Sequence, residues 1–480
     1  TIRAAKIKGE PIARLYQTYL KLGLGNTVLP SFEGYYNSLR NKQWGYGVEA
    51  GYHNSPAIVD GYDASFQQTT IAAYGKGILD FGIVNTNISR EGNVFSAHGM
   101  QDGLSEQQMH QYWGYSQFNI SLESKHNSRD RLSYFTTLHF SDLNEMMENN
   151  YGFESTLKQR FGAYDYSIGF KADLYANNTI KEMSMPFEAE RAIEGVYILS
   201  PRFYGDFYGF NVSAGFDEVV NNLRAVGLLD FHFYPQLHAD YEIVPKIFKV
   251  YGGLRSGLHK NSYWSLSKEN PFLLNVLRYD TDALELRNTS SMDFYTGLNT
   301  YFNSNIRFGA ELSYTNRKDM PFFARNENPN YYLNKFSVLY DDVKHLSVQA
   351  TGNWNPLDRK GLALSVVYSH YELTNLTYPS GMASFEANLN GFYNLGDKII
   401  GHLDVYTAFG RIAERTGQTD EAVLYFDLGN IIDFDFKLEY RYSKVLSAYL
   451  SGKRLIGGYD IWQNYPVIPR QIQLGISYQL

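Results

Sequence analysis

The 480-residue chain has no cysteine, which removes disulfides, thiolate nucleophiles and Cys-ligated zinc or iron–sulfur centres together. Proline is scarce at 14, so no proline-rich linker divides the chain. No run approaches the roughly 18 uncharged apolar residues of a membrane-spanning helix. The start, Thr1-Ile2-Arg3, has no charged segment followed by an apolar one, so no signal-peptide pattern is read there. No charge sign dominates: 43 basic residues face 50 acidic ones, which argues against a general nucleic-acid binder. What abounds is aromatic: Tyr 41, Phe 31 and Trp 5 make 16% of the chain, and exclude a disordered or fibrous one. A mean hydropathy of -0.36 suggests a water-soluble protein, and the periodicity overturns that impression.

Apolar residues recur with period two along the whole length. Trp44, Tyr46, Val48, Ala50 and Tyr52 alternate with Gly45, Gly47, Glu49 and Gly51. Ile306, Phe308, Ala310, Leu312 and Tyr314 do the same, as do Ile472, Leu474, Ile476, Tyr478 and Leu480 at the C-terminus. Helical stripes are nowhere convincing, so the chain reads as all-β. Three stretches keep one parity beyond the usual strand of about 5–6 residues: Leu229–Ile243, Phe336–Trp354 and Leu424–Tyr442. A slip of one residue would swap the faces, so each is expected to be one strand.

Short breaks alternate with long ones. Val244-Pro245-Lys246, Asn303-Ser304-Asn305, Leu395-Gly396-Asp397-Lys398 and Ser443-Lys444 are tight turns for one rim. Breaks near 90–112, 259–292, 316–331 and 455–469 are long loops for the other. Counting up- and down-strands gives about 22, an even number that describes a single transmembrane antiparallel β-barrel of a bacterial outer membrane, with short periplasmic turns and long extracellular loops. Hydrocarbon offers no hydrogen bonds, so a spanning sheet must close on itself, apolar outside and polar within. A soluble propeller would show a repeat of about 40–50 residues, and none is present.

The expected organisation is a short periplasmic segment over residues 1–13 and the barrel over 14–480. So wide a barrel has a lumen that wall side chains cannot fill, and a plug domain needs far more chain than Thr1 to Ala13. The loop from Lys260 to Ser291 carries Tyr263, Trp264, Phe272 and Leu273, and the last loop carries Tyr459 and Trp462. These six are candidates either for closing the lumen or for contacting a partner.

The last hairpin, Glu439-Tyr440-Arg441-Tyr442-Ser443-Lys444 running on to Gly458-Tyr459-Asp460-Ile461-Trp462-Gln463, is similar to the closing strands of TonB-dependent receptors. The opening Pro11-Ile12-Ala13-Arg14-Leu15-Tyr16 and the segment Glu269-Asn270-Pro271-Phe272-Leu273 resemble the plug-less form of these barrels in Bacteroidota. The resemblance spans most of the chain. It implies an outer-membrane location, contact with outer-membrane lipid and lipopolysaccharide, and other barrels or surface lipoproteins as partners, with no nucleic acid. The chain ends in Leu480, where such barrels usually end in an aromatic residue.

Catalytic patterns are thin. Ser369 and His370 fall on opposite faces of a strand, and His402 and Asp404 share a face without an identifiable nucleophile. Asp60, Asp63 and the pair Asp341-Asp342 lack calcium-loop spacing, and His98 and His110 are too far apart for a local metal motif. The lumen charges Lys171, Asp173, Arg307, Glu311, Lys437, Glu439 and Arg441 mix both signs, which suits a salt-bridged wall better than a filter. No enzyme, cofactor or metal is therefore expected. The first functional expectation is a non-enzymatic scaffold subunit of a larger outer-membrane complex, such as protein assembly or export machinery. The alternative is a transporter or passive channel of the TonB-dependent-receptor type without its own plug.

Overall fold

The computed structural model describes residues 16–125, 131–144, 148–178, 191–223, 228–274, 286–325, 334–357, 359–415 and 424–480. The N-terminal segment expected over 1–13 lies outside them. One 22-stranded antiparallel sheet dominates, each strand pairing with its neighbours in sequence. It closes where the first strand, Thr18–Gly25, pairs with the last, Gln471–Gln479, in the register Leu22 to Ile476. Closure leaves no unpaired edge.

The alternation read in the sequence sorts side chains to two faces. Leu229, Phe231 and Phe233 are all more than half exposed on the outer wall, as are Trp44, Tyr46 and Val48. Only a hydrocarbon surround makes so much exposed apolar surface stable, and this face marks the barrel as an outer-membrane one. The intervening residues line the lumen and pair with one another: Lys171 with Asp173 at 2.8 Å, Lys249 with Asp240 at 2.9 Å, Lys437 with Glu439 at 3.6 Å. Arg255 bridges Asp293 and Glu311, each at 2.7 Å, and Tyr251 donates to Glu311 at 2.9 Å.

The tight turns all lie on one rim, each built by local hydrogen bonds. Asn303 Oδ1 accepts from the amides of Asn305 at 2.8 Å and Ile306 at 3.0 Å, and Ser443 Oγ from those of Val445 and Leu446. These side chains imitate a backbone turn, which lets two strands reverse in two or three residues.

Two of the long single-parity stretches are single strands, Leu228–Val244 and Phe336–Leu357. The third is not. Leu424–Asp427 leaves the barrel and pairs with Ile412–Arg415 in a small separate ladder, and the barrel strand begins only at Ile431. Gly429 at φ +77 breaks the run, and Leu428 beside it is buried. Sequence parity survived because the break spans three residues, Leu428 to Asn430, so the strands on its two sides keep an even spacing.

Candidate functional site at the barrel mouth

Opposite the tight turns, the strands run on into segments that pack against each other across the mouth. One cluster of buried side chains gathers Trp113, Leu143, Tyr263, Leu266, Leu273, Phe323, Phe336 and Tyr465, with Phe95, Tyr115, Trp264, Phe272 and Trp462 against it. These residues come from the neighbouring strands Gly82–Ser96, His110–Ser124 and Ser133–Leu143, from Ile306–Arg325 and Phe336–Leu357, the last ten places round the ring from His110–Ser124, and from the connections 260–288 and 454–470. Such a cluster can form only if the connections fold inward over the lumen.

Polar contacts fix the crossing. Trp113 Nε1 donates to the Pro271 carbonyl at 2.8 Å, and Gln111 Nε2 to that of Leu273 at 2.7 Å. On its other side the same segment exchanges backbone bonds with Phe336: Leu274 N to Phe336 O at 2.8 Å and Phe336 N to Phe272 O at 3.0 Å. Pro271–Leu274 thus ties two opposed walls together. Tyr465 donates its hydroxyl to the Asn334 carbonyl, while Asn334 Nδ2 donates to the carbonyls of Ala97 and, at 3.1 Å, Gln108. Gly99 meets Asn334 so closely that a Cβ would lie 2.9 Å from its Cα, and its φ is +54, so glycine is required there.

The helix Tyr263–Glu269 is positioned by its first turn. Ser262 caps it through the Ser265 amide, and both oxygens of the buried Glu148 accept from the amides of Tyr263 at 2.8 Å and Trp264 at 3.2 Å. A carboxylate at these otherwise unpaired amides is favoured by the helix dipole. Trp264 stacks on Tyr115 at 3.9 Å, and Lys268 sits 4.2 Å over the Trp264 ring while pairing with Glu91.

Two further carboxylates pin loops. Buried Asp433 accepts from the amides of Ile456 at 2.9 Å and Gly457 at 3.2 Å and from the Tyr459 hydroxyl at 3.3 Å. Asp341 accepts from the amides of Asn375 and Leu376, at 2.9 Å and 2.8 Å. Asp341 is thus engaged by loop donors. Among the described residues no group of three His, Asp or Glu is arranged to hold a metal. His98 is buried with its ring 5.7 Å from Tyr62 and 5.0 Å from Tyr465, its Nδ1 accepting from the Met100 amide at 3.0 Å. Burial holds its imidazole below the ordinary histidine range; Asp63 opposes this and Arg325 adds to it.

The six candidate residues divide. Tyr263, Trp264, Phe272, Leu273 and Trp462 meet in the cross-mouth cluster, whereas Tyr459 belongs to the Asp433 network with Tyr406. Tyr263 and Leu273 are each only 2% exposed, so the chain itself covers their surfaces. Sequence reasoning missed Trp113, Phe323, Phe336, Asn334 and Tyr465. One signal was present: in Met320–Ala324 the alternation fails, and Phe322, Phe323 and Ala324 are all buried. Apolar residues on both parities mark a strand covered on both faces.

No family model matches the chain, and no curated protein sequence does. Solved structures do. The siderophore receptor PirA from Acinetobacter baumannii matches 98% of this chain and 81% of its own, with a TM-score of 0.73 at 8% identity. The FrpB iron transporter from Neisseria meningitidis matches 98% and 82%, with a TM-score of 0.71 at 9% identity. The copper transporter OprC matches 96% and 80%, with a TM-score of 0.68 at 10% identity. The fold is thus that of the 22-strand outer-membrane barrels to which TonB-dependent receptors belong.

Proposed function

We propose that this chain is an outer-membrane transport barrel of the TonB-dependent-receptor type whose inward-folded loops close its mouth. The observation that carries the reading is the match of the whole ring, over 96–98% of the chain, to barrels that include iron and copper transporters. Those neighbours are receptors and transporters rather than enzymes, and they favour transport over the scaffold role. The Bacteroidota affiliation rests on the opening segment and on Glu269–Leu273, and the cross-mouth cluster is the gate. Planar-bilayer recording tests this. The wild-type barrel is expected to stay largely closed, and a Trp113→Ala/Tyr465→Ala barrel to open in discrete steps. Silence from both, with the barrel shown to be inserted, would sink the transport reading.

The scaffold reading keeps one support: the lid is knit by hydrogen bonds from both walls, which suits a barrel that stays shut. Other barrels or surface lipoproteins would then be its partners. Purification from native membranes in mild detergent separates the two, because a scaffold elutes in fixed stoichiometry with those partners and a transporter elutes without them.

A further inference from the structure

The two rims differ in charge as well as in length. In the described connections at the mouth, basic and acidic residues balance, eight of each, and several are engaged, as in Lys260 with Glu194 and Lys268 with Glu91. The described turns of the other rim hold eight basic residues against two acidic ones, Asp80 and Asp397, in a chain of net charge -7. Arg40 and Lys42 share one turn, and Lys125 and Arg131 another. Lys246, Arg359, Lys398 and Lys444 occupy four more, and all eight are exposed. Arg359 alone has an acidic partner among the described residues, Asp397 at 3.7 Å.

A second observation fixes the height of this ring. Trp44, Phe81, Phe161, Tyr208, Phe302 and Tyr442 sit on turns of the same rim or the strand ends adjoining them, Trp44 and Tyr442 beside basic turns and the other four between them, each more than half exposed. Aromatic rings settle where hydrocarbon meets headgroup, and Lys and Arg reach from there to the phosphates. From these two observations we infer that the periplasmic rim is a binding surface for anionic phospholipid of the inner leaflet, its basic turns taking headgroup phosphates. The basic turns are spread round the ring rather than gathered on one side, and the aromatic rings mark membrane depth. That arrangement fits a lipid annulus better than one docked acidic protein. The inference stands on the membrane location and is independent of whether the barrel transports.

The test is native mass spectrometry of the full chain in mild detergent, titrated with phosphatidylglycerol or with phosphatidylethanolamine of the same acyl chains. The wild type is expected to retain phosphatidylglycerol at least about fivefold better, since each surface Lys or Arg adds attraction to an anionic headgroup. In Arg40→Gln/Lys42→Gln/Arg131→Gln/Lys444→Gln the preference should fall to near parity. Lys268→Gln/Arg287→Gln at the other rim should leave it unchanged. Heat-modifiable migration in gels checks that each barrel is closed. Raising salt on the wild type should erode the preference without any substitution, because exposed charges are screened. Equal retention of the two lipids by the wild type, or a preference that survives the rim substitutions, would overturn the inference. So would an acidic protein that co-elutes in fixed ratio and displaces the phosphatidylglycerol.

Discussion

The mouth and the turn rim are two ends of the same 22 strands, yet they are stabilised by different physics. At the turns most reversals are solved within two to four residues, by an Asn or Ser side chain or a left-handed residue such as Lys246 (φ 62) or Asp397 (φ 58). Contacts there that reach beyond one turn are few and join neighbouring hairpins, as in Arg359 with Asp397 and the Tyr134 hydroxyl with the Phe81 carbonyl. At the mouth almost every contact is long-range: Gln111 to Leu273, Trp113 to Pro271, Asn334 to Ala97. The turn rim therefore tolerates change one residue at a time, whereas the mouth stands or falls as a network, as buried polar networks do.

That contrast can be broken most sharply at Trp113. Trp113→Ala deletes a fully buried ring and its bond to Pro271, at a cost of about 3–5 kcal/mol to the lid. Hydrogen exchange should rise in Tyr263–Leu274 while the turn rim stays protected; equal loosening at both rims would refute the division. Asp433→Ala strands the amides of Ile456 and Gly457 and the Tyr459 hydroxyl, which should cost about 2–3 kcal/mol. Its effect should appear as protease cleavage confined to 454–470. Tyr465→Phe keeps the stack of Phe272 on residue 465 and loses the hydroxyl's bonds to Asn334 and the Gly99 backbone, about 1–2 kcal/mol. A thermal-melt change larger than Trp113→Ala gives would contradict that apportioning.

The lid should also loosen in acid. His98 has a folded pKa below its unfolded value, so the unfolded loop binds more protons. Its contribution is complete above the ordinary histidine pKa of about 6.5 and is lost as pH falls from there towards the depressed value. The protection factor of the Met100 amide, its rate corrected for intrinsic exchange, should fall between neutral and mildly acidic pH, and His98→Gln should flatten that dependence. The smallest effect belongs to the turn rim: Arg359→Gln breaks an exposed pair and should change stability by less than about 0.5 kcal/mol, read as an unshifted melting temperature.

Much of the wall was legible because its signal is local. Residues such as Phe231 and Leu474 face lipid by parity alone, and a one-residue slip would expose charge to hydrocarbon. The mixed charges Lys171, Asp173 and Glu311 read as a salt-bridged lining, and the pairs are there. The mouth was legible only as a set of apolar loop residues. Tyr263 and Trp264 were visible as aromatics in a long loop, but their anchor, Glu148, lies 115 residues away from Tyr263. The break at Leu428–Asn430 escaped notice because it preserved parity, and Gly429 was its only local sign.

The amino-acid order by itself thus determined the class, the closed sheet, the sidedness of its two rims and the lipid-facing surface. These follow from period two and from turn chemistry, which act over neighbouring residues. Only the tertiary structure decided that Pro271–Leu274 joins opposite walls, that Asp433 holds the last loop and that Tyr459 sits apart from the other candidates. Each of these depends on which strand ends the closing ring brings face to face, and no local pattern encodes a contact made across the diameter of a barrel.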